Sequence, residues 1–160
     1  MGAQILVAFG LRRSVLGPGG WLILHEPELD LGVAQPRDLV LAPDIAGWRR
    51  ERMAEVPDTA ASELAPDWIC EILSPGTESH DRIRKMECYR RSRVGWAWIV
   101  DANARSVEVY ENTGLCWAYH SGVIGAEPAR LPPFDAIAFD LGEWWAPEPP
   151  AEPPATVPDP

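Results

Sequence analysis

The sequence predicts an α/β domain built on a mixed β-sheet, with a helix following its central strand. Three observations carry this reading. The segment Asp67-Trp68-Ile69-Cys70-Glu71-Ile72-Leu73 is nearly continuous in apolar character, the pattern of a strand covered on both faces. Asp81 to Arg93 is the best helical stretch in the chain, with charges around Ile83 and Met86, which are expected to face the core. Trp96 to Val100 and Val107 to Tyr110 then flank the turn residues Asp101-Ala102-Asn103-Ala104 as in a β-hairpin.

The remaining elements follow in order. Ile5, Leu6, Phe9 and Leu16 recur at roughly helical spacing, and the pattern stops at Gly17-Pro18-Gly19-Gly20, so the chain is expected to begin inside a helix. Trp21 to Leu24, and then Leu29, Leu31 and Val33, read as two short strands joined at Pro27. Asp38 to Ala42 reads as another strand running directly into Pro43-Asp44, with a polar, irregular stretch from Arg49 to Glu63 after it. A further strand is expected around Cys116 to Tyr119, and Phe134 to Trp145 closes the domain. The 160 residues therefore divide into one domain, 1–145, and a tail, 146–160, whose seven prolines and lack of periodicity predict disorder.

Charge and composition narrow the function. Fourteen basic against twenty-four acidic residues leave a net charge of -10, which argues against coating nucleic acid through a general positive field but allows a local basic patch. Cys70, Cys88 and Cys116 are odd in number and form no CxxC pair, so free thiols in a reducing cytoplasm are expected. The apolar stretch from Ala3 to Phe9 has no preceding positive charge and is followed by Arg12 and Arg13, the wrong polarity for a secretory signal. No apolar run approaches the roughly 20 residues of a membrane-spanning helix. A cytoplasmic protein without a membrane partner is the expectation.

The residues that carry chemistry are Asp44, Glu71 and Lys85. Hydrolysis of a phosphodiester needs an activated water and neutralisation of phosphate charge, tasks a hard divalent cation shares with a nearby lysine. Magnesium accepts one or two carboxylates while keeping waters, so acids from two neighbouring strands suffice to seat it, and the backbone carbonyl of Ile72 offers a third oxygen. Asp44 also fits a plain turn role, because Pro-Asp pairs commonly begin turns. Glu71, flanked by Ile69, Cys70, Ile72 and Leu73, is costly to bury without a partner or a metal. Lys85 is the one lysine beside thirteen arginines, and an ammonium, unlike a guanidinium, can have its pKa lowered. Asp81, Lys85 and Tyr89 share one helical stripe, roughly opposite Ile83. A simple Lys85–Asp81 surface pair would contribute only about 0.3 to 0.5 kcal/mol. Arg82, Arg84, Arg90, Arg91 and Arg93 surround Lys85 and read equally as a phosphate-tracking patch or as a solvated helix face.

In order along the chain, "LAPDIAGWRRERM", "PDWICEILSPGTESHDRIRKMECYRRSRV" and "WAWIVDANARSVEVY" resemble the Uma-two-type restriction endonucleases, a bacterial family of the PD-(D/E)XK nuclease superfamily. The likeness runs from about Gly19 to Trp145. It implies a restriction-endonuclease-like mixed sheet flanked by helices and a metal-dependent endonuclease acting on DNA. Asp44 then matches the acid of the Pro-Asp motif, Glu71 that of the Glu-x-Leu-Ser-Pro motif, and Lys85 the helical lysine, with Mg2+ as cofactor and Mn2+ as its substitute. Leu73 stands where the superfamily's usual pattern has a lysine, so the resemblance implies that Lys85 reaches in from the following helix. Tyr89 matches a recurring helical tyrosine. Relatives carry a longer N-terminal region that can supply a further glutamate, so an N-terminally shortened form is expected here, with Glu26 and Glu28 as substitutes or as surface residues. Two other readings stand beside the DNA endonuclease: a catalytically degenerate relative acting as a non-enzymatic interaction protein, and a nuclease for another nucleic acid such as RNA. A homodimer is the assembly expected if both strands of a duplex are cut.

Overall fold

The computed structural model describes residues 2, 5, 16–17, 20–32, 41–73 and 79–145. They form a seven-stranded sheet in the sequential order β1 to β7: β1 (Leu16–Gly17), β2 (Trp21–His25), β3 (Ile45–Arg49), β4 (Trp68–Leu73), β5 (Trp96–Asp101), β6 (Ser106–Asn112) and β7 (Trp117–Ile124). All neighbours pair antiparallel except β4 and β5, which are parallel and joined through α1 (Ser79–Arg91). A parallel pair needs a long crossover, and the helix supplies it. The mixed α/β sheet expected from sequence is therefore present.

Strand alternation sorts the core into two layers. On one face Trp21, Ile23, Ile45, Trp68, Cys70, Trp98, Val100, Val107 and Val109 meet the C-terminal segment through Leu131, Phe134, Phe139, Leu141 and Trp144. Trp98 centres this layer, edge-on to Trp68, Phe134 and Phe139, with its indole Nε1 donating to the carbonyl of Pro132 at 2.6 Å. On the other face Leu22, Ala46, Trp48, Ile69 and Ala97 meet Leu29, Leu41, Met53 and the α1 residues Cys88 and Tyr89. Gly47 lies between two indoles: a Cβ there would stand 3.1 Å from Trp68 and 3.3 Å from Trp21.

The end of α1 is fixed by its backbone. Arg93 adopts a left-handed φ of 63°. Its N–H donates to the carbonyl of Arg90, and the Val94 N–H donates to that of Tyr89. This paired arrangement is the Schellman motif, here with buried Val94 packed beside buried Tyr89. The Asn112 side-chain amide donates to the carbonyls of Arg90 and Val94, tying β6 to the helix end.

Several sequence expectations change. Ile83 does not face the core and is 62% exposed, because α1 turns Lys85, Cys88 and Tyr89 toward the sheet. Asp44 immediately precedes a strand rather than ending one: regular pairing covers Ile45–Arg49, while Leu41 makes an isolated bridge to Leu29. Residues 38–40 of the expected strand lie outside the described residues, as do Val33, most of the expected first helix and the tail 146–160. Leu16, assigned by periodicity to that helix, is in β1. Leu29 bridges Leu41 and Ser62 without extending into a strand. The strand expected around Cys116 to Tyr119 is present, beginning at Trp117 and continuing further, to Ile124.

Replacing fully buried Trp98 by alanine is expected to cost about 3 to 5 kcal/mol, whereas Ile83→Ala stays within about 0.5 kcal/mol. Urea denaturation of both variants checks this; equal losses would contradict the assigned register of α1.

Candidate active site

Asp44, Glu71 and Lys85 come together on the α1 side of the sheet. Ile45 is paired with Cys70, so Asp44 and Glu71 stand at the next step of the same ladder. Glu71 shares its face with Ile69, which packs in the α1-side layer, and Asp44 shares its face with Ala46. Glu71 is only 7% exposed. The antiparallel neighbour β3 presents Asp44 because β2 holds its start, the Glu26 N–H donating to the Asp44 carbonyl at 2.9 Å.

Two side chains and one backbone group organise the two acids. The Tyr89 hydroxyl donates to Glu71 Oε1 at 2.8 Å, and Lys85 Nζ lies 3.5 Å from Glu71 Oε2. Lys85 Nζ also donates to the Ala42 carbonyl at 3.4 Å, just upstream of Pro43-Asp44. The spacing of four between Lys85 and Tyr89 lets one helix contact both oxygens of one carboxylate. Asp44 Oδ2 accepts the Ile72 N–H at 2.7 Å. Since the N–H and C=O of a strand residue point to the same side, the Ile72 carbonyl also faces the β3 edge. Continuing the register would set Pro43 opposite it, and proline has no N–H to offer to that oxygen.

The electrostatics are set by burial. Desolvation raises the pKa of Glu71, Lys85 and the Tyr89 hydrogen bond lower it, and Asp44 raises it, with the upward effect prevailing. The Tyr89 hydroxyl is pushed far up by burial and by Glu71, so it remains a donor. Cys70, on the opposite face, is fully buried with its thiol pKa raised by desolvation and by the two acids, which makes it inert. The other acid near β4, Asp67, has conventional duties: it accepts the Arg49 N–H at 2.8 Å and pairs with Arg52.

Among the described residues no group of three or more His, Cys, Asp or Glu side chains converges as a metal cluster. Glu26 neighbours Asp44 through its backbone, but its exposed carboxylate lies 3.7 Å from His25 Nδ1. Glu28 uses its carbonyl to accept the Ser62 N–H. Residues not foreseen from sequence are Ala42, whose carbonyl meets Lys85, and the Ile72 N–H, which orients Asp44; backbone contacts of this kind leave no side-chain pattern to read.

The raised pKa of Glu71 makes its ionised form a cost to the fold. Its contribution is fully favourable below the unfolded carboxylate pKa and is lost as pH rises through the folded value. Glu71→Gln is therefore expected to melt higher than the parent near pH 7 in chelator, with the gap closing as the solution is acidified. A lower melting temperature for the variant at neutral pH, read by calorimetry, would show that the Lys85 and Tyr89 contacts outweigh desolvation.

Comparison with known proteins agrees with this architecture. A crystal structure of a putative nuclease belonging to DUF820 from Anabaena variabilis ATCC 29413 shares the fold, with a TM-score of 0.57 and 17% identity over 88% of this chain and 73% of that one. No curated protein matches at a significant level. Among the described residues no helix is long and apolar enough to cross a membrane. The Uma2 family model, described as "putative restriction endonuclease", matches residues 19–141, well over half of the chain and all of the elements around Asp44, Glu71 and Lys85, so the protein belongs to that family.

Proposed function

We propose that this protein is a metal-dependent endonuclease that hydrolyses DNA phosphodiester bonds at Asp44, Glu71 and Lys85. The observation that carries the reading is a buried carboxylate on a central strand, incompletely offset by its lysine and tyrosine, beside a second carboxylate. A divalent cation is the ligand that would relieve this arrangement. The donor set fits magnesium: two carboxylates and the Ile72 carbonyl, all oxygen, with room in its coordination for waters. Manganese accepts the same ligands. When bound, the cation would supply Lewis acidity toward the phosphate and lower the pKa of a coordinated water.

The chain's own groups have distinct tasks in this reading. Asp44 is oriented by the Ile72 N–H and Glu71 by the Tyr89 hydroxyl, so neither carboxylate must reorganise to bind. Lys85, partly exposed at 22%, can leave the Glu71 oxygen to neutralise a phosphate oxygen or to orient the attacking water. Tyr89 is a positioning residue, since its hydroxyl acts through Glu71. Family membership supports a nuclease in general terms; the choice of DNA, and a homodimer for cutting duplexes, belong to the proposal.

Plasmid DNA incubated with the purified protein is expected to be cut with Mg2+ or Mn2+ and to remain intact with a chelator. Glu71→Ala and Lys85→Ala should each lower the rate by about a hundredfold or more while circular dichroism stays unchanged. Undiminished cutting by either folded variant rejects the assignment. A folded parent that neither binds metal nor cuts DNA favours the non-enzymatic relative.

A further inference from the structure

A second feature opens beside this centre. The register sets Glu71 opposite Ile99 on β5, and Ile99 opposite Glu108 on β6, so one row of side chains crosses the α1 side of the sheet. With strands about 4.8 Å apart, Glu108 stands roughly 10 Å from Glu71. Between α1 and this part of the sheet lies a cavity of about 460 Å³, lined among others by Arg82, Met86, Ile99, Glu108, Tyr110 and Trp117. None of these except Ile99, as the neighbour of Glu71, has a part in the site described above.

The cavity has a built interior. Trp117 is anchored by its indole N–H, which donates to the Met86 carbonyl at 2.9 Å. Tyr110 packs edge-on to Tyr119 at 5.9 Å, and its hydroxyl donates to Glu108 Oε2 at 2.5 Å. One oxygen of the exposed Glu108 carboxylate is thus held, leaving the other to accept from a ligand. Arg82 lies at i-3 from Lys85 and i-4 from Met86, so it neighbours both on the helix surface.

The contents select a ligand class. The lining sets two carboxylates, Glu108 and Asp101, against one guanidinium, Arg82, a balance that does not favour phosphate. Asp101 is engaged by the Asn103 and Ala104 N–H groups, so the free oxygen of Glu108 is the one placed to accept from an amino group. The tyrosine and tryptophan offer the flat apolar surfaces on which bases stack. The volume falls in the range of small-molecule sites. Arg82, in the lining, and Lys85, one turn on along the helix, form a cationic step leading from the cavity to the two acids.

We propose that this cavity is a nucleobase subsite that receives the base of a nucleotide next to the scissile phosphate and prefers amino-bearing bases through Glu108. The base lies against Tyr110 and Trp117, its amino group donates to the free oxygen of Glu108, and the connecting phosphate passes Arg82 toward Lys85. The nature of the occupant rests on the nuclease reading. The span from Glu108 to Glu71 is one to two nucleotide steps of an extended strand. Carboxylates accept from the cytosine amino group in the same way in established base readout.

The test uses the full chain in chelator, so that no cleavage is needed. The indole N–H signal of Trp117 is followed by NMR while dCMP, dGMP, dTMP or inorganic phosphate is added. The parent is expected to respond saturably to dCMP and dGMP, about tenfold more weakly to dTMP, and not to phosphate alone. Glu108→Gln should erase the discrimination against dTMP. The subsite is overturned if no nucleotide moves the signal, or if all three bind equally in both proteins. A protein that binds dCMP in this way but never cuts DNA overturns the preceding section and leaves the subsite standing; one that cuts DNA but ignores all nucleotides does the reverse.

Discussion

The structure depends on keeping one carboxylate ionisable inside a covered sheet. Glu71 lies on a strand flanked by Trp68, Ile69 and Cys70, all fully buried. An isolated charge in such surroundings is expensive. Tyr89 and Lys85 answer that cost with one contact to each oxygen, and most of the architecture of α1 follows from delivering those two groups. The helix turns a lysine and a tyrosine toward the sheet, leaves Ile83 in solvent, and ends in a backbone motif that seats Tyr89 at a fixed depth.

The two faces of the sheet divide the work. The face away from α1 is apolar and rich in interlocked aromatics, with Trp98 surrounded by Trp68, Phe134, Phe139 and Trp144. Edge-on ring pairs of this kind add about 0.5 to 1.5 kcal/mol each beyond burial. That side supplies stability, so the other can hold a strained set of charges. Proteins commonly offset the local cost of a functional site elsewhere in the fold.

Much of this was legible in sequence, and the failures have physical causes. The strand bearing Glu71 and the hairpin after it were readable because β4 and β5 are covered on both faces and because Asp101 caps the turn, accepting the Asn103 and Ala104 N–H groups. Lys85 and Tyr89 were readable as one stripe from their spacing. Apolar character alone points Ile83, the most apolar residue of α1, toward the core, whereas the helix faces the sheet with side chains that must answer a charge. The sequence points to Asp38 to Ala42 rather than to Ile45–Arg49 because Gly47 and Arg49 weaken the strand signature of the latter; Gly47 is there to admit two indoles. The contacts of Ala42 and Ile72 with the site are backbone contacts, which no residue pattern announces.

The Pro43-Asp44 pair now has a mechanical reading. Proline withholds a ladder hydrogen bond from the strand edge, and aspartate takes the Ile72 N–H with its side chain, leaving the Ile72 carbonyl facing the β3 edge. The most direct measurement is a crystal structure of the protein grown with Mn2+, examined for anomalous scattering. One peak about 2.0 to 2.2 Å from oxygens of Asp44, Glu71 and Ile72 is expected. Ordered density for these residues with no peak between them, and Glu71 still held by Lys85 and Tyr89 alone, would contradict it.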